Sequence, residues 1–411
     1  MDVVHPRCAG IDVSKKDAKV CVRVQGSGPR PTRSEVTTFG SMSRDILALR
    51  EHLEGEQVTC VVMEATGDYW KPFYYLLEGS SFEVLLVNAR QARNMPGRKT
   101  DVKDATWLAE LGAHGLLSGS FVPPVPIRRL RDLTRARTVV RRERAREIAR
   151  MEKVLEDAGV KLSAHIADLT GVSGRRMLQA MIDGERDPQV LADLADTRLR
   201  ATRTTLIDAL TGQFTDHHAF LITEHLDAID AADARIARLD QRIEVETEPF
   251  RTALDHLITI PGIRQSTAQV IIAETGADMT QFPDPAHLCS WAGLAPGHHE
   301  SAGKARAART RPGNIYLHAA LGTAVMSIAR SNTSRLAARY RRVAVRRGPL
   351  RANVAVQRTI LTAAWHMLTH DLDYTDLGAD YYQRLRPDRA VRSAINTLKT
   401  HGYDVHLEPA A

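Results

Sequence analysis

Three prolines within four residues, Pro123-Pro124-Val125-Pro126, divide this chain of 411 residues into parts that fold by different rules. A proline fixes φ and has no N–H to donate, so neither a central strand nor a helix interior runs through such a stretch. Before it, short apolar runs alternate with amphipathic ones. After it, nearly everything reads as helix. Hydrophobic residues make up 43% of the sequence, enough for two or three domains with cores of their own. No run of 18 apolar residues occurs and the N-terminus lacks a basic-then-apolar leader, so a soluble intracellular protein without a membrane partner is expected. Cys8, Cys21, Cys60 and Cys289 form no CxxC pair, which points to buried thiols rather than a zinc ribbon or a disulfide framework. His298-His299-Glu300 reads as a polar loop, because adjacent residues seldom converge on one ion.

Residues 8–24 read as two strands about a turn, the second alternating through Val20-Cys21-Val22-Arg23-Val24. A third strand is expected near Glu35–Phe39, an amphipathic helix from Ser43 to Leu53, and a buried strand at Thr59–Glu64. A helix around Tyr69–Leu77, an apolar strand at Phe82–Val87 and a helix from Lys99 to about Leu117, capped by Thr100, complete an α/β domain over 1–122. Three antiparallel-looking strands followed by helix, strand, helix, strand and helix is the element order of the RNase H-like fold.

Four acids stand out on this plan. Asp12 lies in the middle of the first strand and Glu64 at the end of the fourth. Asp101 and Asp104, three apart, share one face of the last helix. Two acids in a first turn need no function by themselves, but the first and fourth strands are neighbours in such a sheet, so all four carboxylates could meet. Two like charges 4 Å apart repel by about 4 kcal/mol at an effective dielectric of ~20. Such a cluster must take up protons or hold cations, and hard oxygen ligands select Mg²⁺ or Mn²⁺. Paired ions of this kind serve phosphodiester chemistry. Asp17 and Asp68 lie beside strand ends and read as turn residues.

The charge is concentrated. Arg128 to Arg150 holds ten arginines against three acids, and Ser301 to Arg351 holds eleven arginines and Lys304 with no acid. Such blocks on an otherwise acidic chain suggest a nucleic-acid footprint. Its candidate contacts are Arg128, Arg129, Arg135, Arg141, Arg142, Arg264, Lys304, Arg306, Arg309 and Arg311. The first block reads as one helix, about Ile127 to Asp157. Gly159, Gly171 and Gly174 interrupt the next stretch, and Pro188 begins a helical region through Leu210. From His217 to Glu246, Ile222, Ile229, Ile236 and Ile243 recur every seven residues, a short coiled-coil seam that serves either dimerisation or packing against the basic helix. These elements make a central helical and coiled-coil region, 127–250. Leu257–Gly276 resembles a helix-hairpin-helix, whose Pro-Gly turn would offer N–H groups to a phosphate, with Arg264 in place of the second glycine. Ser301 lies in a small, basic loop; a serine needs activation to act as a nucleophile, and spacing alone does not supply it. Helices near Ile315–Ile328, Arg335–Val345 and Asn353–Leu368 complete a mainly helical domain over 251–370, and the polar tail 371–411 reads as peripheral.

Taken together, these stretches resemble a known family, the DEDD-type insertion-sequence transposases of the IS one-ten group, relatives of the Piv and MooV DNA invertases. Gly10-Ile-Asp12-Val-Ser, Met63-Glu64-Ala-Thr-Gly-Asp-Tyr-Trp70, Val87-Asn88 and Lys99-Thr-Asp101-Val-Lys-Asp104-Ala carry the likeness in the N-terminal part. Ile260-Pro-Gly-Ile, Phe282, Trp291-Ala-Gly-Leu-Ala-Pro296, Ser301-Ala-Gly-Lys304 and Arg311-Pro-Gly-Asn314 carry it in the C-terminal part. The resemblance implies a RuvC-like domain with Asp12, Glu64, Asp101 and Asp104 as Mg²⁺ ligands, a coiled-coil segment and a helical transposase domain. It implies that Ser301 attacks the DNA phosphate to give a transient 5′-phosphoserine link. It also implies a homo-oligomer, dimer or tetramer, with composite active sites, and an element-encoded bridge RNA that pairs with target and donor DNA. The setting would be the prokaryotic cytoplasm. The chain departs from the family pattern in reading Glu300-Ser301-Ala302-Gly303 where Ser-Ser-Gly-Gly is common, and in having Ala89 after Asn88 where proline is common.

Two other readings compete. A RuvC-like nuclease such as a junction resolvase needs only the four acids, but leaves the C-terminal half unexplained. A non-enzymatic nucleic-acid-binding protein leaves the acids unexplained, because carboxylates repel phosphate unless they carry metal.

Overall fold

The computed structural model describes residues 2–65, 67–88, 104–295, 297, 300–301, 304–305, 310–385 and 387–407. The chain divides into two compact units, Met1–Pro123 and Pro124–Ala411.

The first unit is built on a sheet of β1 (Arg7–Val13), β2 (Asp17–Val24), β3 (Arg33–Gly40), β4 (Cys60–Glu64) and β5 (Glu83–Val87) in the order β3-β2-β1-β4-β5. β1, β2 and β3 pair antiparallel, and β4 and β5 are added parallel to β1. This is the RNase H-like arrangement expected from the order of elements. Alternation along each strand assigns its two faces. Ala9, Ile11, Val13, Val61 and Met63 pack with Ile46, Leu49 and Leu53 of α1 (Ser43–Gly55) and with Phe73 and Leu77 of α2 (Trp70–Leu77). Cys8, Cys60, Val62 and Val87 face Leu108, Leu111 and Ala113 of α3 (Asp104–Ala113). Gly10 is required there, since a Cβ on it would lie 2.1 Å from the Ala105 carbonyl oxygen and 2.4 Å from the Ala109 nitrogen. Only a glycine lets α3 lie this close to β1. The helix stops at Ala113, short of the expected Leu117, because Gly115 turns left-handed at φ +63°. Its expected start at Lys99, with the Thr100 cap, falls outside the described residues.

The second unit begins with α4 (Val125–Asp157), with Pro124 as its N-cap and Pro126 in its first turn, where a missing N–H costs nothing. The short helices α5 (Leu162–His165), α6 (Val172–Ile182), α7 (Pro188–Asp193) and α8 (Arg203–Leu210) come next, and then α9 (Asp216–Thr247). Gly174, expected to interrupt, sits inside α6: a Cβ there would come within 2.3 Å of the Leu169 carbonyl oxygen. α4 and α9 form an antiparallel hairpin, since Arg137 meets Asp240, Arg144 meets Asp233 and Glu147 meets His225. Ile222 and Ile229 are buried with Met151 and Leu155 of α4, and Ile243 is also buried, while Ala232, Ile236 and Leu239 remain half-buried. The two ends of the heptad seam are thus satisfied within the chain.

The remaining helices are α10 (Arg251–Ile258), α11 (Gln265–Thr275), α12 (Pro285–Trp291), α13 (Ile315–Ala329), α14 (Arg335–Arg347), α15 (Pro349–His370), α16 (Tyr381–Leu385) and α17 (Pro387–Thr400). A hairpin of β6 (Glu300–Ser301) and β7 (Lys304–Ala305) lies between α12 and α13. The segment from Asp371, read from sequence as peripheral, is anchored at its start. Asp373 and Asp371 lie 2.7 and 2.9 Å from the two ring nitrogens of His256, and the Tyr374 N–H donates to Thr259 Oγ1. Further on, Asp376 accepts from the Arg335 N–H.

The His256 clamp is sensitive to pH. Both ring nitrogens donate only in the protonated imidazole. The hydrogen bond to Asp373, and then that to Asp371, raises the pKa of His256. A raised folded-state pKa means that the clamp's stabilisation is complete below the ordinary histidine value of about 6.5 and is lost as pH rises through the folded value. Limited proteolysis after Asp371 should therefore quicken with rising pH in the native protein relative to His256→Ala. The variant should be cleaved readily at every pH.

Candidate active site and nucleic-acid interface

Asp12 and Glu64 each lie one residue beyond the last registered pair of β1 and β4, Ile11 with Met63. They therefore sit side by side at the carboxyl ends of adjacent parallel strands. Asp12 follows Cys8 and Gly10 on the face that α3 covers, and Glu64 follows Cys60 and Val62 on that same face. Asp104 opens α3, the helix laid on that face. All three carboxylates are half-buried. Asp101 lies outside the described residues. Asp17 accepts from Ser14 Oγ at 2.6 Å in the β1–β2 turn, and Asp68 pairs with Lys71 at 2.8 Å, which fits their reading as turn residues.

Sequence reasoning passed over Lys19. It pairs in register with Asp12 across β1 and β2, so an exposed ammonium stands next to the first carboxylate on the same face. The signal was present in the alternation of β2, where Lys19, Cys21 and Arg23 fall on one side.

In the second unit, Ser301 lies on β6 and is the register partner of Lys304 on β7. The neck of this segment is closed by two glycines. Gly293 has φ +75°, and a Cβ on it would lie 2.7 Å from the Gly313 Cα. A Cβ on Gly313 would fall 2.0 Å from the Ala292 carbonyl oxygen. Gly313→Ala must force the neck apart. We expect a loss of about 1–3 kcal/mol in stability, read from a thermal melt, together with loss of activity.

Asn314 then caps α13 by accepting from the N–H groups of Tyr316 and Leu317 at 3.1 and 3.0 Å. Its amide donates to Glu274 Oε2 at 2.6 Å. Glu274 is fully buried, and Arg135 grips both of its carboxylate oxygens, Nε to Oε1 at 2.8 Å and Nη2 to Oε2 at 2.7 Å. Arg131 donates to the Ala273 and Glu274 carbonyls at 2.9 Å each. One buried acid thus ties the basic helix α4 to α11 and to the start of α13. Arg135 also stacks over the Tyr316 ring at 4.8 Å.

The arginines read as nucleic-acid contacts divide accordingly. Arg135 is committed to Glu274, so its role in the fold is structural. Arg141 lies 3.7 Å from Asp240, and Arg142 stands 5.9 Å over the Tyr316 ring. Arg129, Arg264 and Arg311 are exposed, and Arg128 is half-buried. Lys304 is on β7; Arg306 and Arg309 lie outside the described residues, as do His298 and His299. The Pro-Gly turn between α10 and α11 is packed inward: Gly262, at φ +82°, would place a Cβ 2.4 Å from Ile328 Cγ1 of α13. Arg339, Arg342 and Arg346 of α14, with Tyr382, line a cavity of about 310 Å³, a basic recess that sequence showed only as part of a charged block.

Residues 9–159 match a family model described as Transposase, of the DEDD type of IS110 elements. Residues 254–341 match a second model, described as Transposase IS116/IS110/IS902 family. The two matched stretches include Asp12, Glu64, Asp104 and Ser301. No curated protein matches the chain.

Proposed function

The chain belongs to the IS110 family of DEDD transposases, and from that premise we propose that it cleaves and rejoins DNA site-specifically, under RNA guidance, through Ser301. As a transposase of an insertion sequence it acts on DNA and depends on a divalent metal. The observation that carries the reading is the pairing of Asp12 and Glu64 at the ends of β1 and β4, with Asp104 on the helix that covers the same face.

These residues suit the metal. The described donors are carboxylate oxygens, half-buried and fixed by strand ends and a helix start, a hard set that favours Mg²⁺ or Mn²⁺. Asp12, Glu64 and Asp104, with Asp101, would hold it. When bound, the metal polarises the phosphate and stabilises the attacking and leaving oxygens. Lys19 adds a positive charge beside Asp12. Ser301 Oγ attacks the phosphorus as its proton passes to a base. The P–O3′ bond breaks, its electron pair leaves with the 3′ oxygen, and that oxygen takes up a proton. The DNA is now joined to the enzyme through a 5′-phosphoserine. The 3′-hydroxyl of a second strand attacks the same phosphorus, freeing the serine and sealing the new joint.

An element-encoded bridge RNA supplies target and donor pairing in this reading, which suits a chain with many arginines and few devices for reading bases. Arg128, Arg129, Arg141, Arg142, Arg264, Lys304, Arg306, Arg309 and Arg311 hold RNA and DNA backbones. The working form is a homo-oligomer with composite active sites, in the prokaryotic cytoplasm. The test is strand exchange between labelled donor and target DNA with Mg²⁺, with and without RNA transcribed from the element's flanks. Exchange that requires the RNA supports the guided reading. Exchange undiminished without it rejects guidance.

A further inference from the structure

At the opposite end of the sheet from Asp12 and Glu64, a nitrogen of His5, the Sγ of Cys60 and a carboxylate oxygen of Glu83 all lie within 4.8 Å of one another. Strand register produces the cluster. Cys8 pairs with Cys60 and Cys60 with Glu83, so the three side chains form a row across β1, β4 and β5 on the face of α3. His5 precedes β1, and its N–H donates to the Ala113 carbonyl at 3.0 Å, which fixes it at the end of α3. Cys60 is fully buried and Glu83 is exposed, so the cluster opens to solvent on one side.

We propose that His5, Cys60 and Glu83 form a binding site for Zn²⁺, with water in the fourth position. Nitrogen, thiolate and carboxylate ligands at about 2.0–2.3 Å from one ion stand roughly 3–4 Å apart, which small side-chain adjustments reach from here. A thiolate and an imidazole favour zinc over Mg²⁺, which keeps this site chemically separate from the carboxylate set. Cys8, the register partner of Cys60, is buried beside it, and its thiol donates to the Ala9 carbonyl. Arg23 pairs in register with Cys8, and its Nη1 is buried without a hydrogen-bond partner among the described residues. Its charge offsets the negative ligands. An ion here pins the starts of β1, β4 and β5 together.

Co²⁺ is the probe. Full-length protein stripped with a chelator is titrated with Co²⁺ and followed by absorbance. The expected result is saturation at one equivalent, with tetrahedral visible bands and a thiolate-to-cobalt charge-transfer band, reversed by Zn²⁺ but not by excess Mg²⁺. Cys60→Ser should remove the charge-transfer band. Glu83→Ala alters an exposed side chain, so the fold should hold while Co²⁺ affinity falls at least roughly tenfold. A native protein without the charge-transfer band overturns the proposal. So does a band that keeps its intensity in Cys60→Ser and its affinity in Glu83→Ala.

Discussion

Asp12→Asn is expected to reduce strand cleavage by roughly a thousandfold or more, because removing one carboxylate from a metal-binding set forfeits several kcal/mol of transition-state stabilisation. The substitution keeps the size of the side chain at the half-buried end of β1, so the melting temperature should hardly change. Glu64→Gln should behave alike, since Glu64 occupies the corresponding position on the neighbouring strand. Asp17→Asn is the internal control, because Asp17 serves the β1–β2 turn through Ser14. Cleavage measured on end-labelled DNA with Mg²⁺ decides between these outcomes. Near-native cleavage by Asp12→Asn would remove it from the catalytic set.

The largest effect on stability is expected at Glu274. Glu274→Ala strands the guanidinium of Arg135 and takes away the amide partner of Asn314 in one step. Glu274 is buried but the Arg135 side chain is 37% exposed, so the stranded charge is partly hydrated and the cost is about 2–3 kcal/mol, less than for a fully buried pair. For a unit of this size that corresponds to a fall of roughly 5 °C in melting temperature. Arg135→Met with Glu274→Met should recover part of the loss, since an apolar pair replaces a desolvated one. A Glu274→Ala protein that melts within a degree or two of the native one would mean that the network contributes little. Such a loss would also reach activity, because Asn314 closes the segment that carries Ser301 and caps α13.

The N-terminal sheet was legible because its information is local. Apolar alternation marks β2, a continuous apolar run marks the doubly covered β4, and the same period of two places Asp12 and Glu64 on one face. Gly10 stands within a sequence motif, but its reason lies in α3, about a hundred residues away, and no local pattern could supply it. The basic block was legible only as charge. The three acids within it are its visible counterweight, whereas Asp233, Asp240 and Glu274, which take up Arg144, Arg137 and Arg135, lie far along the chain. A buried acid at the end of the apolar run Val270-Ile271-Ile272-Ala273 was the one available hint of that partnership. The heptad of isoleucines posed a different problem. The same spacing serves a second chain or a neighbouring helix, and here Ile222 and Ile229 are buried with Met151 and Leu155 of α4. Loose polarity made the tail from Asp371 read as peripheral, yet its aspartates are what bind it to His256.

The central claim is that Ser301 and the carboxylates carry out one reaction, and a covalent trap tests it most directly. Purified protein, its flanking RNA and end-labelled donor and target DNA are mixed with Mg²⁺ and resolved on a denaturing gel beside Ser301→Ala and Asp12→Asn. A protein–DNA adduct that disappears in both variants is the predicted result. Cleavage without an adduct, unchanged in Ser301→Ala but lost in Asp12→Asn, would contradict the account and identify a metal-dependent nuclease with no covalent step.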